Sequence, residues 1–480
     1  MRGVSLDSYL RQLFASLSPE RVRALHQAIR DESEKRELVY MRDGQTEIIN
    51  VMLRPLGIFS EQLNYFHYVA QTLLGAQKRM PELYLKDFKI RDVVPLEEGE
   101  AQWLWDTWGS SHNQFHTVFG RLDAVADLTG AFSKDSLAFI EPNLVGAGGV
   151  HLIPTADEII MDTVVPALEE LAPELDLNPS DDLRDTFLNE LLDHVEATGR
   201  KGRAICLVDP KYAGDGPNEQ ESLMHFYRER GAEVYYADPE ELYVRGGEVY
   251  YENHVVDVAY RDYEVRELAE METEGMNVRP MKHLFRQNQM VSSMAGDFDH
   301  KSCFEVFTDP QYSQYFTMDE RNAFRRHVLW TRLINDRRTT DPTGELVDLL
   351  EFVRTNREFL VIKPNRSYGG ESVLIGPSAS DGDWGSAVER AVQEPGKWVT
   401  QRLARIAVYE FPVVDEKGDV YVSPFYVVIG LAPTKYGLAI LGRASQKQVV
   451  NVAQRGGMLS VLIGEHKHRI AMPRMPQAGT

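Results

Sequence analysis

The run Phe359-Leu-Val-Ile-Lys-Pro-Asn-Arg-Ser-Tyr-Gly-Gly-Glu-Ser-Val-Leu-Ile-Gly376 constrains this chain more than any other feature. A buried strand delivers Lys363 at its end, where an ammonium can meet phosphate oxygens. Ser367-Tyr368-Gly369-Gly370 then turns into a second strand, and adjacent glycines let backbone N–H groups converge on an anion without obstruction by Cβ atoms. No G-x4-G-K-[S/T] loop and no G-x-G-x-x-G occurs. Taken alone, the run is equally compatible with a hairpin that carries a surface lysine.

Two further runs bear on the same chemistry. Leu441-Gly-Arg-Ala-Ser445, continuing through Val449 to Gly457, places Arg443 on a strand, followed by Asn451 and a loop with Gly456-Gly457. A guanidinium can bridge two phosphoryl oxygens, which suits charge developing on a transferred phosphate. An exposed strand with a solvated arginine is the alternative. The third run pairs Gly120-Arg-Leu-Asp-Ala-Val-Ala-Asp127 with Leu137-Ala-Phe-Ile-Glu-Pro-Asn143 across a turn-like segment, a hairpin signal. Side chains alternate along a strand, so Arg121 and Asp123 share a face, as do Glu141 and Asn143. If the strands pair, that face offers two carboxylates and an amide oxygen, hard ligands suited to Mg²⁺, with a solvated strand edge as the alternative.

Composition narrows the partners. At 480 residues the chain has room for two to four domains. Its 52 Lys+Arg against 73 Asp+Glu give a net charge of −21, which argues against a nucleic-acid binder that would need clustered cations. Cys206 and Cys303 are too few for a disulfide framework or a four-cysteine zinc site and read as buried free thiols. No apolar run approaches eighteen residues, so no membrane span is expected, and the N-terminal segment lacks the apolar core of a secretory signal. A cytoplasmic location is the expectation.

Along the chain, Leu6–Asp31 and Ile58–Met80 carry apolar residues at helical spacing, and residues 1–110 read as a mainly helical region. Residues 111–200 hold the hairpin and a helical stretch over Ile159–Leu192. Residues 201–290 read as a Rossmann-like lobe, with a strand at Arg203–Asp209, a helix at Gln220–Arg230 and a strand at Ala232–Tyr236, then a hairpin turning at Gly246-Gly247. Residues 291–470 form the next unit, in which strands dominate from Phe359 to Ile463, including Trp398–Gln401, Val420–Ile429, Leu438–Arg443 and Gln448–Val452, and 471–480 form a tail. The fold class is α/β (α+β).

The three runs together resemble the signatures of the ATP-grasp superfamily, in which two α+β subdomains clamp ATP. Their order is rotated, with the hairpin first and the lysine–arginine part last, as in the circularly permuted ATP-grasp ligases of the glutathione synthetase and glutathionylspermidine synthetase type. Val256-Asp-Val-Ala-Tyr-Arg-Asp-Tyr-Glu264 and Ala295-Gly-Asp-Phe-Asp-His-Lys-Ser302 resemble two further segments of that group. The resemblance spans roughly Phe115 to Gly464, except for Pro154–Gly202. It implies that Lys301 and Lys363 hold the α- and β-phosphates of ATP, with Ser367, Tyr368, Gly369 and Gly370 covering the γ end. Gln401 and Leu403 match the hinge that pairs with adenine through backbone groups. Asp123, Glu141 and Asn143 would bind one or two Mg²⁺ ions. Arg443 would stabilise the transferring phosphoryl group, Asn451 would face the acyl acceptor, and Arg121 matches an arginine that grips a substrate carboxylate.

The chain also departs from the pattern. Ser423-Pro424-Phe425 replaces an aspartate–arginine opening, and Arg455 interrupts the usual Q-G-G. Glu410 is the nearest candidate for the ribose contact, with a solvated strand carboxylate as its alternative, and His466 and His468 read as solvated.

The implied activity is ATP-dependent ligation of a small-molecule carboxylate to an amine through an acyl phosphate, a reaction of positioning and charge stabilisation that needs no protein nucleophile. An ATP-grasp phosphotransferase and a non-catalytic ATP-binding regulatory protein are the alternatives. Neither nucleic acid nor membrane is an expected partner, and a homodimer is left open.

Overall fold

A computed structural model of the chain describes residues 5–130, 133–217, 219–367, 372–447 and 456–466. Its largest sheet is assembled from segments some three hundred positions apart. Strand Arg121–Val125 pairs on one side with Ala138–Asn143 and on the other with Val420–Thr434, and the sheet continues through Gly437–Ser445 to Gly457–Leu459. The expected hairpin therefore forms, with Arg121 opposite Asn143 and Asp123 opposite Glu141. Val420–Thr434 is continuously buried from Val427 onward, where it has packed neighbours on both sides, while its first half pairs with Val408–Val414 at a more exposed edge.

A second sheet is parallel. Strand Ile205–Val208, helix Glu219–Glu229 and strand Val234–Ala237 make the expected βαβ unit, and Val258–Arg261 and Met290–Val291 extend the sheet on the other side of Ile205–Val208. Ile205, Cys206, Leu207 and Val208 are all buried, as a strand covered on both faces requires. The hairpin Leu242–Arg245 with Glu248–Tyr251 turns at Gly246 and Gly247, both at positive φ (62° and 86°), which glycine adopts without a steric penalty.

A third sheet, ordered Thr331–Leu333, Trp398–Arg402, Leu360–Pro364, Leu374–Ile375, is antiparallel and carries a hydrophobic core of its own. Trp330, Ile362, Val353, Trp384 and Val388 pack there, drawn from the sheet and from helices Leu349–Thr355 and Asp381–Gln393. The Lys363 strand thus belongs to a small lobe distinct from the large sheet.

Residues up to 110 are mainly helical, as expected, though not wholly so, and the expected helical stretch Ile159–Leu192 needs correction. The N-terminal region has helices at Leu6–Ala15, Pro19–Lys35, Ser60–Gln77 and Glu98–Thr107, but also a hairpin, Val39–Arg42 with Gln45–Ile48, and a buried strand, Leu56–Phe59. That strand pairs in parallel with Val461–His466, joining the two ends of the described chain. Gly57 lets it pass beneath the first helix, because a Cβ there would stand 2.7 Å from Leu6 and Leu10. The stretch Ile159–Leu192 is likewise broken: strand Leu175–Asn178 separates helices Val165–Leu171 and Leu183–Ala197, and buries Leu175 and Leu177 at strand spacing. The expected strand over 448–452 and the tail over 471–480 lie outside the described residues. Among the described residues no helix is long and apolar enough to cross a membrane.

Candidate active site

One face of the large sheet gathers charge. Asp123 is 1 % exposed, and its two carboxylate oxygens are taken by two arginines. Arg121 Nε donates to Oδ1 at 2.9 Å, and Arg443 Nη2 donates to Oδ2 at 2.5 Å. Burial alone would raise the Asp123 carboxyl; the two guanidiniums overcome it and hold the group below the usual carboxylate range. Arg121 reaches this position by lying across Gly430, where a Cβ would stand 2.2 Å from its Cδ, and Arg121 Nη1 also donates to Gly148 O at 2.6 Å. Isolated glycine inside an apolar strand was the available sequence signal for that close approach.

Glu141, directly across from Asp123, marks the join between the large sheet and the small lobe. Lys301 Nζ stands 3.3 Å from Glu141 Oε2 and donates to Ser367 O at 2.8 Å. Lys363 Nζ donates to the neighbouring Ile140 O at 2.8 Å, and Gln401 Nε2 donates to the same carbonyl at 3.2 Å. Two lysines and a glutamine from three segments therefore converge on residues 140–141. Asn365 ties the lysines together: its carbonyl accepts from Lys301 N–H at 3.1 Å and its side-chain oxygen from Ser302 N–H at 2.9 Å. Burial pushes the Lys363 ammonium down to about 8; Lys301 adds to that shift, while Glu141 and Asp123 oppose it. Such a cation lacks a full complement of negative partners and would gain from polyanionic oxygens.

On the large-sheet side of Glu141 lies a cavity of about 420 Å³, lined by Arg121, Asp123, Glu141, Asn143 and Arg443 among others and reached by the lysines only through Glu141 and its strand. Its far wall is the glycine-rich turn 146–149, held by Glu219, a residue the sequence did not single out. The buried Glu219 carboxylate accepts from Gly149, His151 and Leu152 N–H at 2.7–3.1 Å. Tyr40 and Ile49 of the N-terminal region also line the cavity.

The remaining expected residues fall as follows. Leu403 N–H is already donated to Phe359 O at 2.8 Å, so Leu403 cannot also offer that donor to an adenine ring; its carbonyl is the hinge group left for such a contact. Glu410 is exposed and pairs with Arg11 at 3.0 Å, as a solvated strand carboxylate does. Tyr368, Gly369, Gly370, Asn451 and Arg455 lie outside the described residues. Both cysteines are buried, and burial pushes the Cys206 thiol up to about 12, so it is inert at neutral pH.

For a divalent cation the donor set fits one shared with phosphate oxygens, the way Mg²⁺ is ordinarily held. Glu141 supplies a carboxylate and Asn143, buried beside it on the same strand, an amide, while Asp123 retains only the lone pairs its arginines leave. Among the described residues no group of three or more His, Cys, Asp or Glu side chains comes together as a self-sufficient metal site.

A glutathione synthetase-like effector from Globodera pallida superposes with a TM-score of 0.61 over 93 % of this chain and 98 % of its own, at 11 % identity. The chain has that fold. A candidate gamma-glutamylcysteine synthetase from Methylobacillus flagellatus aligns over 82 % of this chain and 88 % of its own, at 11 % identity and a TM-score of 0.36. No protein-family model matches the sequence, and no curated protein matches it.

Proposed function

We propose that this chain is an ATP-dependent ligase of the circularly permuted ATP-grasp type, joining a small-molecule carboxylate to an amine. The observation that carries the reading is the convergence of Lys301 and Lys363 on the Ile140–Glu141 strand, whose neighbours open directly into the Arg121–Arg443 cavity. The glutathione synthetase-like fold and the pairing of strand Arg121–Val125 with Val420–Thr434 support it.

Lys363 and Lys301 would neutralise phosphate oxygens at the lobe side of the join, and Gln401 fixes the strand carbonyl on which Lys363 rests. Mg²⁺, held by Glu141 and Asn143 with Asp123 beside them, would supply further neutralisation of those oxygens. Arg443, fixed by Asp123, would stabilise charge developing on the transferring phosphoryl group. Arg121, fixed by the same aspartate, presents its remaining guanidinium edge to a carboxylate in the cavity. A carboxylate oxygen attacks the γ-phosphorus and ADP leaves. The amine nitrogen then attacks the acyl carbon, phosphate leaves, and the nitrogen loses a proton to give the amide.

An acyl phosphate formed before the amine arrives should be intercepted by hydroxylamine. Purified protein with Mg²⁺, ATP and pooled acids should yield a hydroxamate together with ADP when the acid substrate is present. ADP formation with a stable phosphorylated product and no hydroxamate would make the protein a phosphotransferase instead. Absence of ADP formation with every acid, alongside intact ATP binding, would favour a non-catalytic role.

A further inference from the structure

A second cavity, of about 620 Å³, lies against the parallel sheet and shares Gly146, Gly148, Pro217 and Glu219 with the first. Its position follows from topology. From Ile205–Val208 the chain places its next strand, Val234–Ala237, on one side and Val258–Arg261 on the other, so the strand order reverses between Ile205–Val208 and Val258–Arg261. The crevice outside the carboxyl ends of two such strands is where open parallel sheets take ligands. Here those ends are Asp209 and Asp262, one residue beyond each strand.

Their carboxyl groups lie within hydrogen-bonding reach of each other, and Tyr236 Oη donates to Asp209 Oδ2 at 3.4 Å. Two carboxyls this close cannot both ionise without a cation: burial raises both, the Asp209 charge raises Asp262 further, and the hydrogen bonds Asp209 makes with Asp262 and Tyr236 only partly offset its own rise. Among the described residues lining the cavity the one cation is Lys211, and it is committed to Glu241 at 3.0 Å. Independently, Gln220 lines the same cavity, is 7 % exposed, and has a side-chain carbonyl oxygen with no hydrogen-bond partner. Gly146, at φ +55°, stands where a Cβ would lie 1.7 Å from Asp262 Oδ1, so the carboxyl pair sits against the partition between the two cavities.

We propose that this cavity binds a primary ammonium group, with the Asp209–Asp262 pair and the Gln220 carbonyl as its acceptors; that the ammonium belongs to the amine substrate rests on the ligase reading above. Three N–H donors meet two carboxyl groups and one amide oxygen, a match an alkylammonium satisfies. A divalent ion is the poorer occupant, because the described residues bring no third acidic or histidine ligand to the pair.

Calorimetric titration of n-butylammonium chloride, with n-butanol as the neutral control, tests the site without ATP. The amine should bind one to one, and Asp209→Asn and Asp262→Asn should each weaken it by about ten-fold or more, as loss of a charged acceptor does. Gln220→Leu, which leaves the carboxyl pair intact, should weaken it by a smaller factor and serves if Asp262→Asn does not fold. Equal binding by wild type and folded variants, equal binding of butanol, or stoichiometric displacement of the amine by Mg²⁺ or Ca²⁺ would overturn the assignment. Amine binding without any hydroxamate would leave this site standing and remove the ligase reading. Hydroxamate formation without amine binding would do the reverse.

Discussion

The two walls of the candidate site are held together by different physics. On the large sheet, Asp123 is buried between Arg121 and Arg443, so the acidic and basic groups satisfy one another within the protein. On the lobe side of the join, Lys363 is buried with one carbonyl as its hydrogen-bond partner, and Lys301, from the segment before helix Cys303–Thr308, stands beside Glu141 and donates to the Ser367 carbonyl. One wall is closed by its own ion pairs. The other carries positive charge that its surroundings only partly answer, and that imbalance is what a polyphosphate would correct. The lobe also keeps its own core around Trp384, so its interior is packed independently of the sheet.

The sharpest way to break this comparison is Asp123→Ala. It leaves two guanidiniums without their shared carboxylate, Arg121 keeping only the Gly148 carbonyl, and should cost about 3–5 kcal/mol of stability in urea titrations, besides turnover. A loss below about 1 kcal/mol would mean that the arginines are solvated and the wall is not closed by its ion pairs.

Trp384→Ala should cost about 3–5 kcal/mol as well, but locally. Hydrogen exchange should accelerate across residues 330–402 while Arg121–Val125 and Val427–Thr434 keep their protection. Equal acceleration in both would show one cooperative core.

Lys363→Ala should behave in the opposite sense to Asp123→Ala. Folding stability should not fall, because the penalty of the buried cation is removed with it, whereas ATP affinity measured calorimetrically with Mg²⁺ should fall by about 1.5–3 kcal/mol. Unchanged affinity and rate would remove Lys363 from the site.

A smaller effect comes from pH. The folded-state Lys363 ammonium titrates at about 8, below its ordinary value of 10.5. ATP affinity should therefore weaken as pH rises through 8, and Lys363→Arg should flatten that profile. The stability contribution has the opposite sign: the unfolded chain holds more protons between 8 and 10.5, so the penalty of the buried cation is present below pH 8 and fades across that window. An affinity profile unchanged by the arginine variant would assign the titration to another group.

Much of this was legible in short stretches of sequence. Lys363 at a strand end, the Asp123–Glu141 pairing and the turn at Gly246-Gly247 depend on local chemistry, on alternation along a strand and on glycine's freedom at positive φ. The N-terminal strand Leu56–Phe59 was not legible, since a four-residue apolar run beside a long helix has no period that separates it from that helix.

Periodicity and local residue chemistry thus determined the strands, the hairpin and the types of charged group this protein brings to its site. Tertiary structure alone decided their partners. That Asp123 would hold Arg443, three hundred and twenty positions away, that Leu403 N–H would be spent on Phe359, that Glu219 would clamp the 146–149 turn, and that Asp209 and Asp262 would meet at a reversal of strand order are contacts between distant segments. Local sequence sets which groups can form hydrogen bonds; only the packed chain, which must pair buried polar groups or leave them at a cost, settles which ones do.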